Sequence, residues 1–166
     1  MHVVADELYV VMWGKLFKRE LLEGIYFPEG RICEDLAVLY QIFDRVKKAV
    51  YVNQVMYYYF RNNVGSSTFR INDKFYQDVY LALEEEITYM LKKHKELADY
   101  PRKTYMYWLL DYYRKLKTSK NGSKDQLSRL HNKYKELYRA GKGLKKEKFY
   151  TAFYLFPNLY LILKDR

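Results

Sequence analysis

The chain has 166 residues, 49% of them hydrophobic and 19% aromatic, with 30 Lys+Arg against 20 Asp+Glu. This composition excludes a disordered polyelectrolyte and suits one folded domain, or a small subdomain followed by helices. A single cysteine, Cys33, excludes an intrachain disulfide and is typical of a reducing compartment. The sequence shows neither a signal-peptide pattern nor 18 consecutive uncharged apolar residues, so we expect no membrane-spanning helix.

Short β-prone and helical patterns alternate at the start of the chain. The β-branched residues of 7–12 predict a short strand. Residues 15–24 predict one or two helical turns that stop at Gly24. After a turn with Pro28 and Gly30, a helix is expected over 34–46, because apolar residues recur there with helical spacing (Leu36, Leu39, Tyr40, Phe43 and Val46).

Residues 49–63 hold two β-rich runs around Asn53-Gln54. They predict either a hairpin or one long bent strand. The sequence of 62–68, NNVGSST, has the composition of a loop.

Three amphipathic helices are predicted in the next part of the chain. The first covers 73–95 and begins with Asn72 or Asp73 as its cap, and the second covers 101–118. The third covers 124–140 and starts with a capping box of Ser123 and Gln126. Their apolar stripes predict core packing rather than a cofactor site.

The tail, residues 145–166, is apolar and tyrosine-rich between flanking lysines. It is too short to span a bilayer, and Pro157 interrupts it. Two interpretations stay open: an interfacial anchor on a membrane surface, or a final helix docked on the core.

The net charge of +10 is unevenly distributed, because residues 101–148 hold 15 Lys+Arg against 4 Asp+Glu. A basic region with aromatic residues could follow nucleic-acid phosphates and stack bases. No nucleic-acid motif accompanies it, and lysine-rich helix faces are usually only solvated, so this alternative has less weight than membrane contact. The aromatic residues concerned are Tyr105, Tyr107, Trp108, Tyr112, Tyr113, Tyr134 and Tyr138.

The acidic pair Glu34-Asp35 lies in the first turn of the helix predicted over 34–46. Carboxylates there commonly do no more than stabilise the helix end, and the helix dipole favours their ionised forms. The neighbouring Cys33 is interpreted as a small buried residue rather than a nucleophile, because all three histidines are distant in sequence.

The pair Glu34-Asp35 belongs to an ordered set of motifs. Trp-x-Lys-Leu-Phe-Lys-Arg begins at Trp13, Phe-Pro-Glu-Gly at Phe27, Glu-Asp at Glu34, and Tyr-Tyr-Phe-Arg ends at Arg61. In this order, over roughly residues 7 to 70, they resemble the second half of the catalytic domain of family 2 glycosyltransferases. The most similar members build bacterial capsule, exopolysaccharide, lipopolysaccharide or teichoic-acid glycans.

The resemblance implies roles for seven residues. Asp35 would be the catalytic base that takes the proton from the acceptor hydroxyl, and Glu34 would orient the site. Arg61, with Ser66 or Ser67, would bind the departing diphosphate. Trp13 and Lys15 would line the acceptor side.

The resemblance also implies a divalent cation, Mn²⁺ or Mg²⁺, held by an Asp-x-Asp motif in a preceding α/β half. No Asp-x-Asp and no glycine-rich phosphate loop occurs in this chain, and no metal ligand is identified in it. The chain therefore resembles the C-terminal part of such an enzyme, incomplete by itself. A non-catalytic interaction module, binding a membrane surface or nucleic acid, remains the alternative.

The expected fold is an α/β remnant of a GT-A domain, with few strands and a helix, over residues 1–70. A mostly helical region with basic helices and an amphipathic tail would follow over 71–166. The expected partners are a nucleotide-sugar and a glycan or lipid-linked acceptor. The expected location is the cytoplasm, peripheral at the inner face of the plasma membrane.

Overall fold

The structure is a computed structural model that describes residues 11–58, 60, 72–141 and 148–158. Two compact units divide between Ala82 and Leu83, whereas the boundary near residue 70 inferred from the sequence stays a prediction. Five helices are present in these ranges: α1 (Leu39–Asp44), α2 (Asp73–Lys93), α3 (Asp99–Thr118), α4 (Lys124–Ala140) and α5 (Lys148–Leu155). Single 3-10 turns cover Arg19–Leu21 and Lys95–Leu97.

The expected α/β remnant is wrong, because the described residues are helix-rich and contain no strand. Residues 11–12 and 49–58, parts of the predicted strands, have no regular structure. A β-prone segment becomes a strand only when another strand supplies hydrogen bonds, and no described segment does so here. Residues 7–10, 59 and 61–63 of the same predictions lie outside the described ranges.

The first unit contains a small apolar core around α1. Three buried residues form its centre: Val38, Leu39 and Ile42. Five partly buried side chains pack against them: Met12, Phe17, Leu21, Leu22 and Ile25. Arg45, just after α1, closes this arrangement by donating hydrogen bonds from Nη1 to the carbonyl oxygens of Leu21 (3.1 Å) and Glu23 (2.7 Å).

Helix α1 is shorter than the helix predicted over 34–46. Residues 32–38 form successive turns instead, and Cys33 adopts the left-handed conformation with φ 60°. Val38, with φ −124° and ψ −26°, also departs from α-helical dihedral angles, and regular helical structure starts only at Leu39. Glu34 and Asp35 therefore lie in the turns before α1 and not in its first turn.

The longer helices agree closely with the pattern in the sequence. Helix α4 has the predicted bounds, and α2 and α3 differ by about two residues at one end. The Asn72 cap is confirmed, since Asn72 Oδ1 accepts the N–H of Phe75 at 3.0 Å. Ser123 Oγ likewise accepts the N–H of Gln126 at 3.1 Å, but the Gln126 side chain donates to the Tyr112 hydroxyl (3.0 Å) rather than back to residue 123.

The second unit is organised around α5 and its buried Phe153. The Phe153 ring meets Tyr134 of α4 edge-on at 4.7 Å between centroids, and Tyr113 of α3 at 5.2 Å. Tyr134 also donates its hydroxyl to the carbonyl oxygen of Tyr150 at 3.0 Å. Residues 148–155 therefore form a docked helix, which is one of the two interpretations of the tail. Residues 145–147 and 159–166 of the tail lie outside the described residues.

No helix in the described ranges is both long and apolar enough to cross a membrane.

Candidate functional site

The carboxylate of Asp35 lies half-buried in the turns that precede α1. It accepts the N–H of Leu36 at Oδ1 (2.9 Å) and a further backbone N–H from Met12. Its own carbonyl oxygen accepts the N–H groups of Val38 (3.1 Å) and Leu39 (2.9 Å). Asp35 therefore connects the segment that carries Trp13 and Lys15 to the beginning of α1.

Burial raises the pKa of Asp35, the hydrogen bond from Leu36 opposes this rise, and the negative charge of Glu34 adds to it. The sequence had predicted the opposite direction, from a helix N-terminus that would favour the ionised carboxylate. Because α1 starts four residues later, its dipole does not act on Asp35 in that way, and desolvation decides the direction. A half-buried carboxylate with a raised pKa is a stronger base than an exposed one.

Lys15 lies close enough to Asp35 for their charges to interact. Burial lowers the pKa of the Lys15 ammonium, and Asp35 partly restores it. The ammonium group also donates a short hydrogen bond to the carbonyl oxygen of Val11. The structure therefore brings Lys15, Glu34 and Asp35 together, while their roles on the acceptor side and as the base stay predictions.

Trp13 is half-buried and stacks on Tyr57, with ring centroids 5.1 Å apart and 17° between the planes. Stacked aromatic rings of this kind offer a flat apolar surface next to polar groups. Tyr57 was not singled out from the sequence, where it is one of 20 tyrosines. Its position within the second β-rich run gave no signal of a contact with Trp13.

Asp78 of α2 holds the turn that carries the acidic pair. Its Oδ2 accepts the N–H of Ile32 at 2.8 Å and the ammonium of Lys74 at 2.7 Å. Burial would raise the pKa of Asp78, but the two hydrogen bonds and the positive charges of Lys74 and Arg31 together outweigh burial and lower the pKa. The sequence shows only an i, i+4 Lys-Asp pair here, which is typical of an exposed helix face, so this role of Asp78 was missed.

Cys33 is half-buried between these carboxylates. Burial raises the pKa of its thiol to about 12, and the charges of Asp35, Glu34 and Asp78 add to the effect. A thiol with this pKa is protonated at neutral pH and is a poor nucleophile. The raised pKa argues against a nucleophile, whereas Cys33 is half-buried and not the fully buried residue that was expected.

The predicted diphosphate-binding residues Arg61, Ser66 and Ser67 lie outside the described residues, so their roles stay predictions. In the ranges that the structure does describe, no three His, Cys, Asp or Glu side chains are grouped so that they could hold a metal ion. The nearest candidates are Glu34 and Asp35, and Asp35 already has the cation Lys15 beside it. The described residues therefore do not fit the divalent cation that the resemblance implies.

Comparisons with known proteins identify no relative of this chain. No family model matches the chain, and searches of curated proteins and of solved structures find no match.

The basic helices offer less to nucleic acid than their sequence suggested. Five of the seven aromatic residues proposed for base stacking are buried in the second unit: Tyr105, Tyr112, Tyr113, Tyr134 and Tyr138. Tyr107 is half exposed and Trp108 is partly exposed. A ring buried in the core cannot stack on a base, so little of the proposed stacking surface is available.

Proposed function

We propose that this chain carries the acceptor side and the catalytic base of a family 2-like glycosyltransferase, and that it is incomplete without a nucleotide-binding half. The observation that supports this most directly is the half-buried Asp35, whose pKa is raised and which interacts with Lys15 and Glu34. These are three of the residues that the ordered motifs select. The substrates would be a nucleotide-sugar and a glycan or lipid-linked acceptor in bacterial surface polysaccharide synthesis.

In this proposal Asp35 removes the proton from an acceptor hydroxyl as that oxygen attacks the anomeric carbon of the sugar. The bond from this carbon to the nucleoside diphosphate breaks, and the diphosphate leaves with the electron pair. A raised carboxylate pKa makes proton acceptance more favourable, provided that Asp35 is ionised at the working pH. Burial is the largest cause of this raised pKa.

Lys15 and Glu34 act on Asp35 in opposite directions. The Lys15 cation favours the ionised carboxylate that must be present before reaction, whereas the Glu34 charge favours the protonated form that follows it. Trp13, stacked on Tyr57, would provide the flat surface against which an acceptor sugar ring packs. Arg61 with Ser66 or Ser67 would stabilise the departing diphosphate. The Mn²⁺ or Mg²⁺ of the family has no described ligands here, and no step is assigned to it.

The deciding experiment measures sugar transfer by the polypeptide, expressed with whatever coding sequence adjoins it in its gene. Radiolabelled UDP-glucose, UDP-galactose and UDP-N-acetylglucosamine serve as donors, and bacterial membranes serve as the acceptor source. We expect Asp35→Asn to reduce transfer by about 10²- to 10⁴-fold, while the urea midpoint stays within the native range. Glu29→Gln, an exposed carboxylate in the preceding turn, is the matched control and should transfer normally.

Retention of transfer by Asp35→Asn would refute the assignment of the base. Absence of transfer from every donor, together with absence of UDP binding by calorimetry with and without Mn²⁺, would refute the enzyme proposal itself.

A further inference from the structure

The segment from Ala49 to Phe60, AVYVNQVMYYYF, contains no charged residue and is dominated by β-branched and aromatic side chains. Such residues favour an extended strand in a sheet. The described residues of this segment, 49–58 and 60, have no regular structure. The segment therefore has the composition of a β-strand but no strand partner among the described residues.

The side chains of residues 49–58 and 60 are exposed to solvent on both sides of the backbone. Neighbouring residues, which point to opposite sides of an extended chain, are exposed alike: Val50 by 75% and Tyr51 by 84%, Val55 by 99% and Met56 by 71%. Scattered exposed apolar residues are ordinary, but a continuous run of this length typically marks an interaction surface. The Tyr57 ring stacks on Trp13, and this contact attaches the C-terminal part of the segment to the first unit.

The backbone N–H and C=O groups of residues 49–58 are also available for hydrogen bonds with a partner. Within the part of the chain that the structure describes, no backbone hydrogen bond joins residues 47–58 to another segment. Water satisfies these groups as long as the segment is exposed, and a partner that displaces water must replace those hydrogen bonds. A lipid surface has no groups with which to do so, whereas the open edge of a β-sheet supplies them in the correct spacing.

Charge distinguishes between two kinds of strand partner. Lys47 and Lys48 are exposed at the start of the segment, and Arg61 follows it in the sequence. A second copy has no Asp or Glu between residues 45 and 61 to complement Lys47 and Lys48. In a parallel in-register pair the lysines of the two copies would even face each other, and like charges at facing positions are destabilising. An edge strand of another protein with Asp or Glu beyond one end would instead complement the two lysines.

We propose that residues 49–58 are a docking strand that pairs with the open sheet edge of another protein, whose apolar edge strand is flanked by acidic residues facing Lys47 and Lys48. The pairing would bury the exposed Val, Met and Tyr side chains and satisfy the free backbone groups together. This surface does not require that Asp35 act as a catalytic base, so the inference and the proposed enzymatic role can fail separately.

The test uses display of random peptides of about 10 residues, the length of a strand, selected on this chain. Peptides that also bind the Val55→Pro variant are removed, because proline deletes a backbone N–H and cannot continue a central strand. Val55 is almost completely exposed, so this substitution should leave the fold intact. Val55→Thr keeps the N–H and the β-propensity, and is the matched control.

We expect the selected peptides to alternate apolar residues and to carry Asp or Glu at one end. Their affinity should fall by at least about tenfold with Val55→Pro, and with Lys47→Glu/Lys48→Glu, but by less than about threefold with Val55→Thr. Hydrogen exchange with the best peptide bound should show new amide protection within 49–58. This result would support the proposal.

Four outcomes would overturn it: no enriched peptide, enrichment without an acidic preference, binding without new amide protection in 49–58, or pairing of the chain with itself in sedimentation. Binding of anionic phosphatidylserine vesicles through these residues, without amide protection, would equally assign the segment to a lipid surface and refute strand docking.

Discussion

In three ionisable side chains, partial burial is the largest cause of a shifted pKa. Burial raises the pKa of Asp35, raises that of the Cys33 thiol to about 12, and raises that of Glu86 in α2 to about 7. Removing water from a group disfavours its charged form, which for acids always raises the pKa. For Asp35 this supports a chemical role, whereas for Glu86 and Cys33 it leads to predictions about stability and reactivity.

Glu86 should make the protein less stable as the pH rises. Its pKa is 4.5 when unperturbed and about 7 in the fold, so between these values the folded chain binds a proton that the unfolded chain has released. Stability therefore falls from about pH 4.5 to pH 7 and the full penalty remains above that window. We expect Glu86→Gln to increase the free energy of unfolding by ~1–3 kcal/mol at pH 8 and to change it little at pH 4.5.

Urea denaturation at the two pH values checks this expectation. Glu96→Gln is the control, because Glu96 is an exposed carboxylate in the 3-10 turn that follows α2. An equal effect of Glu86→Gln at both pH values would contradict the proposed desolvation.

Cys33 should resist alkylation in the folded protein. With a pKa of about 12, only about one thiol in 10⁴ is ionised at pH 8, and the thiolate is the reactive form. Iodoacetamide at pH 8 should therefore modify native Cys33 at least about 100-fold more slowly than the same chain in denaturant. Mass spectrometry of timed samples measures both rates, and rapid labelling of the native chain would argue for an accessible, ionised thiol.

At the scale of elements, the turn between α3 and α4 ends α3 with a residue in the left-handed conformation. Helices often have glycine at that position, but this chain has Lys120 there. The N–H of Gly122 donates to the carbonyl oxygen of Leu116, and that of Lys120 to Lys117, both at 3.3 Å. Lys120 has φ 58°, the left-handed conformation that glycine adopts without strain. Gly122 is closely packed, since a Cβ there would lie 2.8 Å from Leu116 Cβ.

These two positions should respond to substitution in opposite directions. Lys120→Gly should stabilise the protein by about 1 kcal/mol, because it removes the strain of a Cβ at positive φ. Lys120→Ala, which loses the same charge but keeps the Cβ, separates this effect from the electrostatics of the helix end. Gly122→Ala should destabilise by at least about 1 kcal/mol, because the new Cβ overlaps Leu116. Urea denaturation midpoints of the three variants measure these changes in stability. A stabilising Gly122→Ala would contradict the close packing of Gly122 against Leu116.

At the scale of the molecule, the second unit owes its packing to residues that are far apart in sequence. Phe153 of α5 contacts Tyr113, His131 and Tyr134, which belong to α3 and α4. His131 Nε2 also lies 3.2 Å from the carbonyl oxygens of Phe153 and Tyr154, at the end of α5. Residues 148–155 are thus part of the core of this unit.

Phe153→Ala should lower the free energy of unfolding by about 3–5 kcal/mol, because a fully buried ring is replaced by a cavity among three helices. Leu155→Ala, on the exposed side of α5, is the control and should change it by less than about 0.5 kcal/mol. Thermal unfolding followed by circular dichroism measures both. Similar small effects would mean that α5 contributes little to the unit, which would favour the membrane-anchor interpretation of the tail.

Helices α2, α3 and α4 were determined by the sequence itself, because their signals are local. Apolar residues at helical spacing, Asn72 and Ser123 at the caps, and Pro101 near the start of α3 all act within a few residues of their own position. Their bounds could therefore be predicted to within about two residues.

Tertiary structure alone decided the environment of Asp35 and the state of residues 49–58. Whether a carboxylate loses water depends on Met12, Leu36 and every other group packed around it, and the sequence does not say which groups those are. Whether a β-prone segment becomes a strand depends on a partner strand, which no described segment supplies. Burial and strand pairing both arise from contacts between distant parts of a chain, or between chains, and for that physical reason local sequence cannot predict them.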